Sequence, residues 1–277
     1  MKIAKHTSYD RKKTMLEKNR VTVKIENQIA LVNLNRPEKH NALDMPMFYA
    51  IRSSIKQLNK DKTVRVVIVQ GEGESFCSGL DLKSVMHSPF NGIKLLWKWW
   101  PFNPNLAQIV TIGWRQLKVP VIMVLKGKCW GGGMQIALGG DYRIACPETS
   151  FSIMEAKWGL IPDMGGTPAL VENLPLDHAM NLAMTADIIN TEQALEMNLI
   201  SKVENDPMKV AMELAYKLKE RSPDTNMRIK KMYHKIWCSK QGSILASETF
   251  NQWKILFGKN RKVAVKKALG DETVKYD

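Results

Sequence analysis

The sequence has no apolar run long enough to cross a bilayer. Its longest, "VPVIMVL" at 119–125, falls far short of the roughly 20 residues a membrane helix needs. No apolar segment of the secretory kind follows the N-terminal lysines, so the chain is expected to be neither secreted nor membrane-spanning, with the cytoplasm as its compartment. Cysteines are few: Cys77, Cys129, Cys146 and Cys238 form no C-x-x-C pair and have no histidines at ligand spacing, which argues against a structural metal and for free thiols. Acidic residues are also in deficit, 27 against 41 Lys and Arg, for a net charge of +14. The excess gathers in "KHTSYDRKK" near the start and "KNRKVAVKK" near the end. No recognised module interleaves these cations with base-stacking aromatics, so nucleic acid is not an expected partner. Solvated lysines, or a field that draws in a polyanionic small ligand, remain as readings.

What is present suits one large α/β domain with 44% hydrophobic residues. Residues 1–20 are polar and without period and are expected to form an extension. "VTVKIENQIALVNLN" at 21–35 alternates on both sides of "ENQ" and predicts a β-hairpin. Met47, Ile51, Ile55 and Leu58 recur at helical spacing. "VRVVIVQ" at 64–70 and "VPVIMVLKG" are continuous apolar runs of the kind buried parallel strands give, and "DYRIA" at 141–145 starts another strand. The order strand, strand, helix recurs loosely along 21–204. Beyond about residue 204 the strands stop and helical spacing takes over to residue 277.

Three stretches carry chemistry. In "GGGMQIALGGD", 131–141, glycines lie where a strand hands over to a helix. The unpaired N–H groups and positive dipole end there can meet an oxygen, with Gly132 as donor. In "FCSGLDL", 76–82, Gly79 permits a turn that aims the Leu80 N–H into a site. Two converging donors would form an oxyanion hole; either loop alone also reads as an ordinary turn. In "FSIMEAKWGLIPDMGGT", 151–167, Glu155 and Asp163 flank an apolar turn able to raise a carboxylate pKa. A surface Glu and a helix-capping Asp are the plainer alternative.

Taken together, these stretches resemble the crotonase, or enoyl-CoA hydratase/isomerase, family. "VNLNRPEKHNALD", "VRVVIVQGEGESFCSGLDL", "GKCWGGGMQIALGGDYRIA", "FSIMEAKWGLIPDMGGT" and "TADIINTEQALEMNLISKV" occur in that family's order. The resemblance implies an α/β spiral of β-β-α turns with a C-terminal helical oligomerisation region, assembled as a homotrimer or dimer of trimers. It implies an acyl-CoA thioester substrate, no separate cofactor because coenzyme A is part of that substrate, and no metal. The thioester oxygen would sit between the N–H groups of Leu80 and Gly132. Leu80, Asp81, Leu82 and Lys83 match the segment along the CoA arm, and Ala42 in "KHNAL" matches part of the adenine site.

The departures are as informative. A hydratase of this family uses two glutamates around one water; Glu155 matches one, and Gln135 stands in place of the other. A glutamine can orient water but cannot exchange a proton. Asp163 matches a third carboxylate of dienoyl-CoA isomerising relatives. Hydration of a 2-enoyl-CoA, as in fatty acid β-oxidation, is therefore the leading expectation, on how common it is in the family, and enoyl-CoA or dienoyl-CoA double-bond isomerisation, favoured by Gln135, is the alternative. A non-catalytic acyl-CoA- or RNA-binding relative is the alternative of another class. The tail "FGKNRKVAVKKALGDE" lacks the family's usual acidic-Gly and Ala-Phe pattern. Trp97, Trp99, Trp100, Phe102 and Trp114, between the glycine loops, offer an apolar wall for an acyl tail or for core and oligomer contacts. None of the histidines receives a catalytic role.

Overall fold

The computed structural model describes residues 20–98, 103–236, 258–268 and 271–276. The predicted hairpin is β1 (Val21–Glu26) and β2 (Ile29–Leu34), paired antiparallel. β2 then pairs in parallel with β3 (Val66–Gly71), β3 with β4 (Val121–Leu125), β4 with β6 (Tyr142–Ala145) and β6 with β8 (Lys202–Val203). Together they form a six-stranded sheet. A second, smaller layer pairs β5 (Lys128–Trp130) with β7 (Ser150–Ser152). A bridge from Cys77 to Cys129 joins the first glycine loop to it.

The chain therefore climbs in turns. β3 passes to Cys77, β4 to β5, and β6 to β7, so each turn adds a strand to the large sheet and then a segment to the small one. This is the β-β-α spiral that the resemblance implies. The large sheet is buried on both faces, which explains its uninterrupted β-branched runs. Val67, Val69, Val121 and Met123 point into the main core, while Val66, Ile68, Ile122 and Val124 meet a second one.

The second core is closed by Ala211 and Ala215 of helix α9 (Pro207–Lys219). The C-terminal helical region thus begins as a layer of the core. It continues as α10 (Pro223–Ile236) and α11 (Lys259–Ala268), the latter formed from the second basic cluster. The first cluster and Cys238 lie outside the described residues, as do Trp99, Trp100 and Phe102.

Helix α1 (Met45–Lys60) starts where Asp44 accepts the Met47 N–H, and it buries Met47, Ile51, Ile55 and Leu58 as their spacing predicts. Short helices α2 (Leu82–Met86) and α3 (Pro89–Leu96) lead towards α4 (Leu106–Gln116), which packs on α1. Trp114 of α4 is fully buried in the core. Of its two readings, acyl wall or core, the core one holds: the outer faces of α4 are taken by residues 108, 109, 112 and 116, and Trp114 falls on the inner one. α5 (Gly132–Ala137) follows the triple glycine, and α6 (Thr167–Asn173), α7 (Leu176–Thr185) and α8 (Thr191–Glu196) complete the spiral. No described helix is long and apolar enough to cross a membrane.

Candidate active site

The two glycine loops meet. Gly79 has φ +93°, a conformation closed to side-chain-bearing residues, and a Cβ there would lie 2.9 Å from the Trp130 carbonyl and 3.3 Å from the Gly132 nitrogen. Gly131 turns the second loop at φ 50°, ψ −122°. Gly133 lets α5 pack on the first loop, since a Cβ would sit 2.2 Å from the Cys77 carbonyl oxygen. Glycine is demanded at 79 and 133 by backbone crossing backbone at close range, and at 131 by its positive φ.

Beside this crossing, the Asp81 N–H donates to the Leu43 carbonyl (3.0 Å) and the Gly79 carbonyl accepts from the Leu43 N–H (2.8 Å). The N–H groups of Leu80 and Gly132 make no hydrogen bond to a described residue. Gly132 opens α5, where the helix itself supplies no acceptor for its N–H.

Glu155 sits on a 3-10 turn (Met154–Trp158) that follows β7. Its Oε1 lies 4.0 Å from the place a Gly131 Cβ would occupy, so the carboxyl faces the glycine crossing. Oε1 accepts a short hydrogen bond from Gln135 Nε2. Oε2 is buried and has no partner. Burial raises the Glu155 pKa; the Gln135 bond opposes the rise and the charge of nearby Asp163 adds to it. A buried carboxyl with one tethered and one idle oxygen is suited to take up and return a proton near neutrality.

Gln135 is completely buried. Its Oε1 accepts from the N–H groups of Met164 (2.9 Å) and Gly166 (3.2 Å) while its Nε2 holds Glu155. The carbonyl is thus committed to the backbone, and only the second amide hydrogen is left to meet a water. One side chain thereby ties α5, the Glu155 turn and the 163–166 turn into a single unit.

Asp163 does not cap the helix that follows, since the residue before α6 is Gly166 and no side chain caps it. It is exposed, and desolvation raises its pKa. It lines a cavity of about 320 Å³ together with Gln108, Ile112 and Gln116 of α4.

The segment matched to a CoA arm lies beside the first loop. Leu82 and Ala42 are partly exposed and Lys83 is exposed. The Asp81 carboxylate accepts from the Ser84 N–H (3.1 Å) and pairs with Arg36 Nη1 (2.8 Å). Burial works against its ionisation, yet these donors hold Asp81 below the usual carboxylate range.

Arg36 is the residue that sequence reasoning passed over. Nearly buried, it also donates to the Ala42 carbonyl (3.0 Å) and lies 3.6 Å from Asp44, so it fixes "KHNAL", α1 and the first glycine loop together. Its position directly before Pro37 after a strand is the only sequence signal.

A second polar cluster lies away from this site. Asp141 pairs with Lys230 and His234 of α10 (each 2.8 Å), and Glu172 pairs with Arg115 (2.6 Å) and lies 3.8 Å from His234. It fastens α10 to the spiral.

Comparison with known proteins places this geometry in context. A profile of the enoyl-CoA hydratase/isomerase family matches residues 24–263. (E)-Benzylidenesuccinyl-CoA hydratase of Thauera aromatica is 33% identical over 185 residues, 66% of this chain and 69% of the relative. 1,2-Epoxyphenylacetyl-CoA isomerase of Escherichia coli is 33% identical over 184 residues, 66% of this chain and 68% of the relative. Among solved structures, an enoyl-CoA hydratase from Bacillus anthracis superposes with a TM-score of 0.83 at 24% identity, covering 93% of this chain and 98% of its own.

Proposed function

The chain belongs to the enoyl-CoA hydratase/isomerase family, and from that premise we propose that it moves a proton on an unsaturated acyl-CoA, shifting the double bond through a thioester enolate. The observation that carries this reading is the idle, buried Oε2 of a Glu155 carboxyl that lies at the glycine crossing, where the N–H groups of Leu80 and Gly132 have no partner among the described residues. In this reading the thioester oxygen accepts from Leu80 and Gly132. Each such donor contributes a few kcal/mol to a developing enolate. Glu155 Oε2 takes a proton from the carbon next to the thioester and returns it further along the chain. The C–H bond broken and the C–H bond formed share one carrier, so one carboxylate suffices.

The commitment of the Gln135 carbonyl to Met164 and Gly166 favours isomerisation over hydration, because the second proton carrier of a two-glutamate hydratase is missing. Hydration is the second reading. Asp163 favours it, being the one other carboxylate near Glu155 among the described residues, and relatives are named as hydratases and dehydratases as well as isomerases. Ala42, Asp81, Leu82 and Lys83 are assigned to the CoA moiety, which arrives with the substrate, so no separate cofactor is invoked. Cytoplasmic location and a trimer or dimer of trimers complete the proposal.

The test is incubation of the protein with 2-enoyl-, 3-enoyl- and 3,5-dienoyl-CoA, reading product mass and ultraviolet absorbance. Isomerisation changes absorbance at constant mass, and hydration adds a water. Turnover should fall at least about 100-fold in Glu155→Gln. Unchanged turnover in that variant overturns the assignment of Glu155.

A further inference from the structure

Resting on the proton-transfer site above, we infer that Met164 is a specificity-determining residue: its thioether keeps water from the stretch between the Gly132 donor and Glu155, so that a proton taken from the substrate is returned to it before exchanging with solvent. Gly132 and Gln135 are three residues apart on α5 and share one face of it. Met164 spans that face. At one end its backbone N–H donates to Gln135 Oε1 (2.9 Å); at the other, a Cβ at Gly132 would lie 2.8 Å from its Sδ and 3.1 Å from its Cε. Any side chain at 132 would therefore displace the thioether.

Leu43 completes the cover. Its Cδ1 would lie 2.9 Å from the same Gly132 Cβ, and its backbone bonds to Gly79 and Asp81, the residues on either side of Leu80. Leu43 and Met164 are both buried. Apolar groups thus stand against both loops that carry the donors, where a low local dielectric strengthens their hold on a developing enolate. Gln135 is completely buried, and Glu155 Oε2 is buried with no partner among the described residues through which a proton could leave. Water reaching Oε2 along this face has to displace Met164. A carboxylate at 135 would work the other way, since a buried charge holds water more strongly than a neutral amide does.

In a 3-enoyl-CoA carrying deuterium at C2, one C2–D bond breaks, its electron pair enters the dienolate, and the deuteron passes to Glu155 Oε2. A C4–D bond then forms from that deuteron and an electron pair of the dienolate, leaving the double bond between C2 and C3. The experiment follows a single turnover of this substrate in ordinary water and reads deuterium at C4 of the product by mass. It compares the wild type with Met164→Leu, Met164→Ala and Met164→Gln, with melting curves to check folding. The wild type should return most of the label to C4, and Met164→Leu, which conserves volume, should do the same. Met164→Ala opens a cavity and Met164→Gln brings in a water-binding amide, so each should lower the retained label by at least roughly threefold. A wild type that places no label at C4 overturns the inference, as does a folded Ala or Gln variant that retains as much as the wild type. If the wild type does not turn the substrate over, the proton-transfer reading fails instead, and binding decides the inference. 3-Oxobutanoyl-CoA, whose stable enolate is read by ultraviolet absorbance, is then compared with butanoyl-CoA. Met164→Gln should weaken the first about threefold to tenfold more than the second; equal weakening overturns the inference.

Discussion

Gln135→Glu is the most discriminating perturbation of this site. A glutamate has the same shape, so its Oε1 would keep the hydrogen bonds from Met164 and Gly166 and strengthen them by its charge. The other end changes completely. Where Nε2 now donates to Glu155 Oε1, two carboxylate oxygens would meet at a hydrogen-bond distance of about 3 Å. At an effective dielectric of about 20, two unit charges at that separation repel by roughly 5 kcal/mol, while one pK unit corresponds to only about 1.4 kcal/mol. The pair therefore holds one proton through the neutral range and titrates as a unit.

That shared proton is what hydration lacks in the native site. One carboxylate of the pair can accept the proton of an attacking water while the other protonates the carbon beside the thioester. General acid–base groups contribute about 10²- to 10⁴-fold, so Gln135→Glu is expected to raise hydration of a 2-enoyl-CoA by roughly tenfold to a hundredfold. Isomerisation should fall, because part of the population holds the proton on the wrong oxygen. Product mass separates the two reactions, and a melting curve checks that the variant folds. A folded variant with no gain in hydration would refute the idea that Gln135 stands where a proton carrier is missing. Gln135→Met supplies the control. It strands the Met164 and Gly166 N–H groups and Glu155 Oε1, each at about 1–3 kcal/mol, so it should lower the melting temperature and both activities together.

Other positions give independent checks. Gly79→Ala places a Cβ 2.9 Å from the Trp130 carbonyl at φ +93°; activity should drop sharply with a stability loss of about 1–3 kcal/mol, read by kinetics and chemical denaturation. Arg36→Met leaves Asp81 without its cation, while Asp44 keeps Arg20 at 2.8 Å; it should cost about 3 kcal/mol, lowering the denaturation midpoint. Burial alone would raise Glu172, yet His234 and Arg115 lower its pKa to about 2 from 4.5. Its stabilising contribution is thus complete above the unfolded value and lost as pH falls through the folded one, and Glu172→Gln should flatten the acid limb of the melting temperature against pH. His234 behaves with the opposite sign. Burial would lower its pKa, but Asp141 and Glu172 hold it above 6.5, so what it adds is present below that value and lost as pH rises through the raised one. His234→Gln should remove that alkaline decline.

The spiral was legible because it is written locally. Continuous β-branched runs at 64–70 and 119–125 mark strands covered on both faces, and the α1 stripe marks a helix with one buried side. The glycine loops were legible for a related reason, since close backbone crossing admits glycine and little else. What escaped depends on contacts between distant residues. Gln135 reaches Met164 and Gly166, which are 29 and 31 residues away, and no spacing rule relates them. Arg36 was passed over because Asp81, its closest ionic partner, arrives from a separate loop. Trp114 read as part of an aromatic patch because neighbours in sequence fall on different faces of α4. His234 meets Asp141 across 93 residues, so its isolation in the sequence said nothing about its role.

The neutral residue at 135 and the raised pKa of Glu155 are one physical fact seen twice. A buried pocket beside Asp163 tolerates little negative charge, and a third carboxylate at 135 would have to carry a proton or separate from Glu155. Glutamine removes that constraint without giving up shape. Its oxygen satisfies the two backbone donors of the 163–166 turn, and its amide offers Glu155 a donor that opposes the rise in pKa caused by burial. Glu155 is thereby held in one orientation, with Oε1 tied and Oε2 idle. A carboxyl fixed in this way can pass a proton between two carbons of a chain lying across Oε2, because both transfers use the same oxygen. Adding water demands a second carrier on the water's side, and among the described residues Asp163 is the carboxylate near enough to be one. Asp163→Asn therefore separates the readings from the other direction: isomerisation persists if Glu155 works alone, whereas any native hydration disappears.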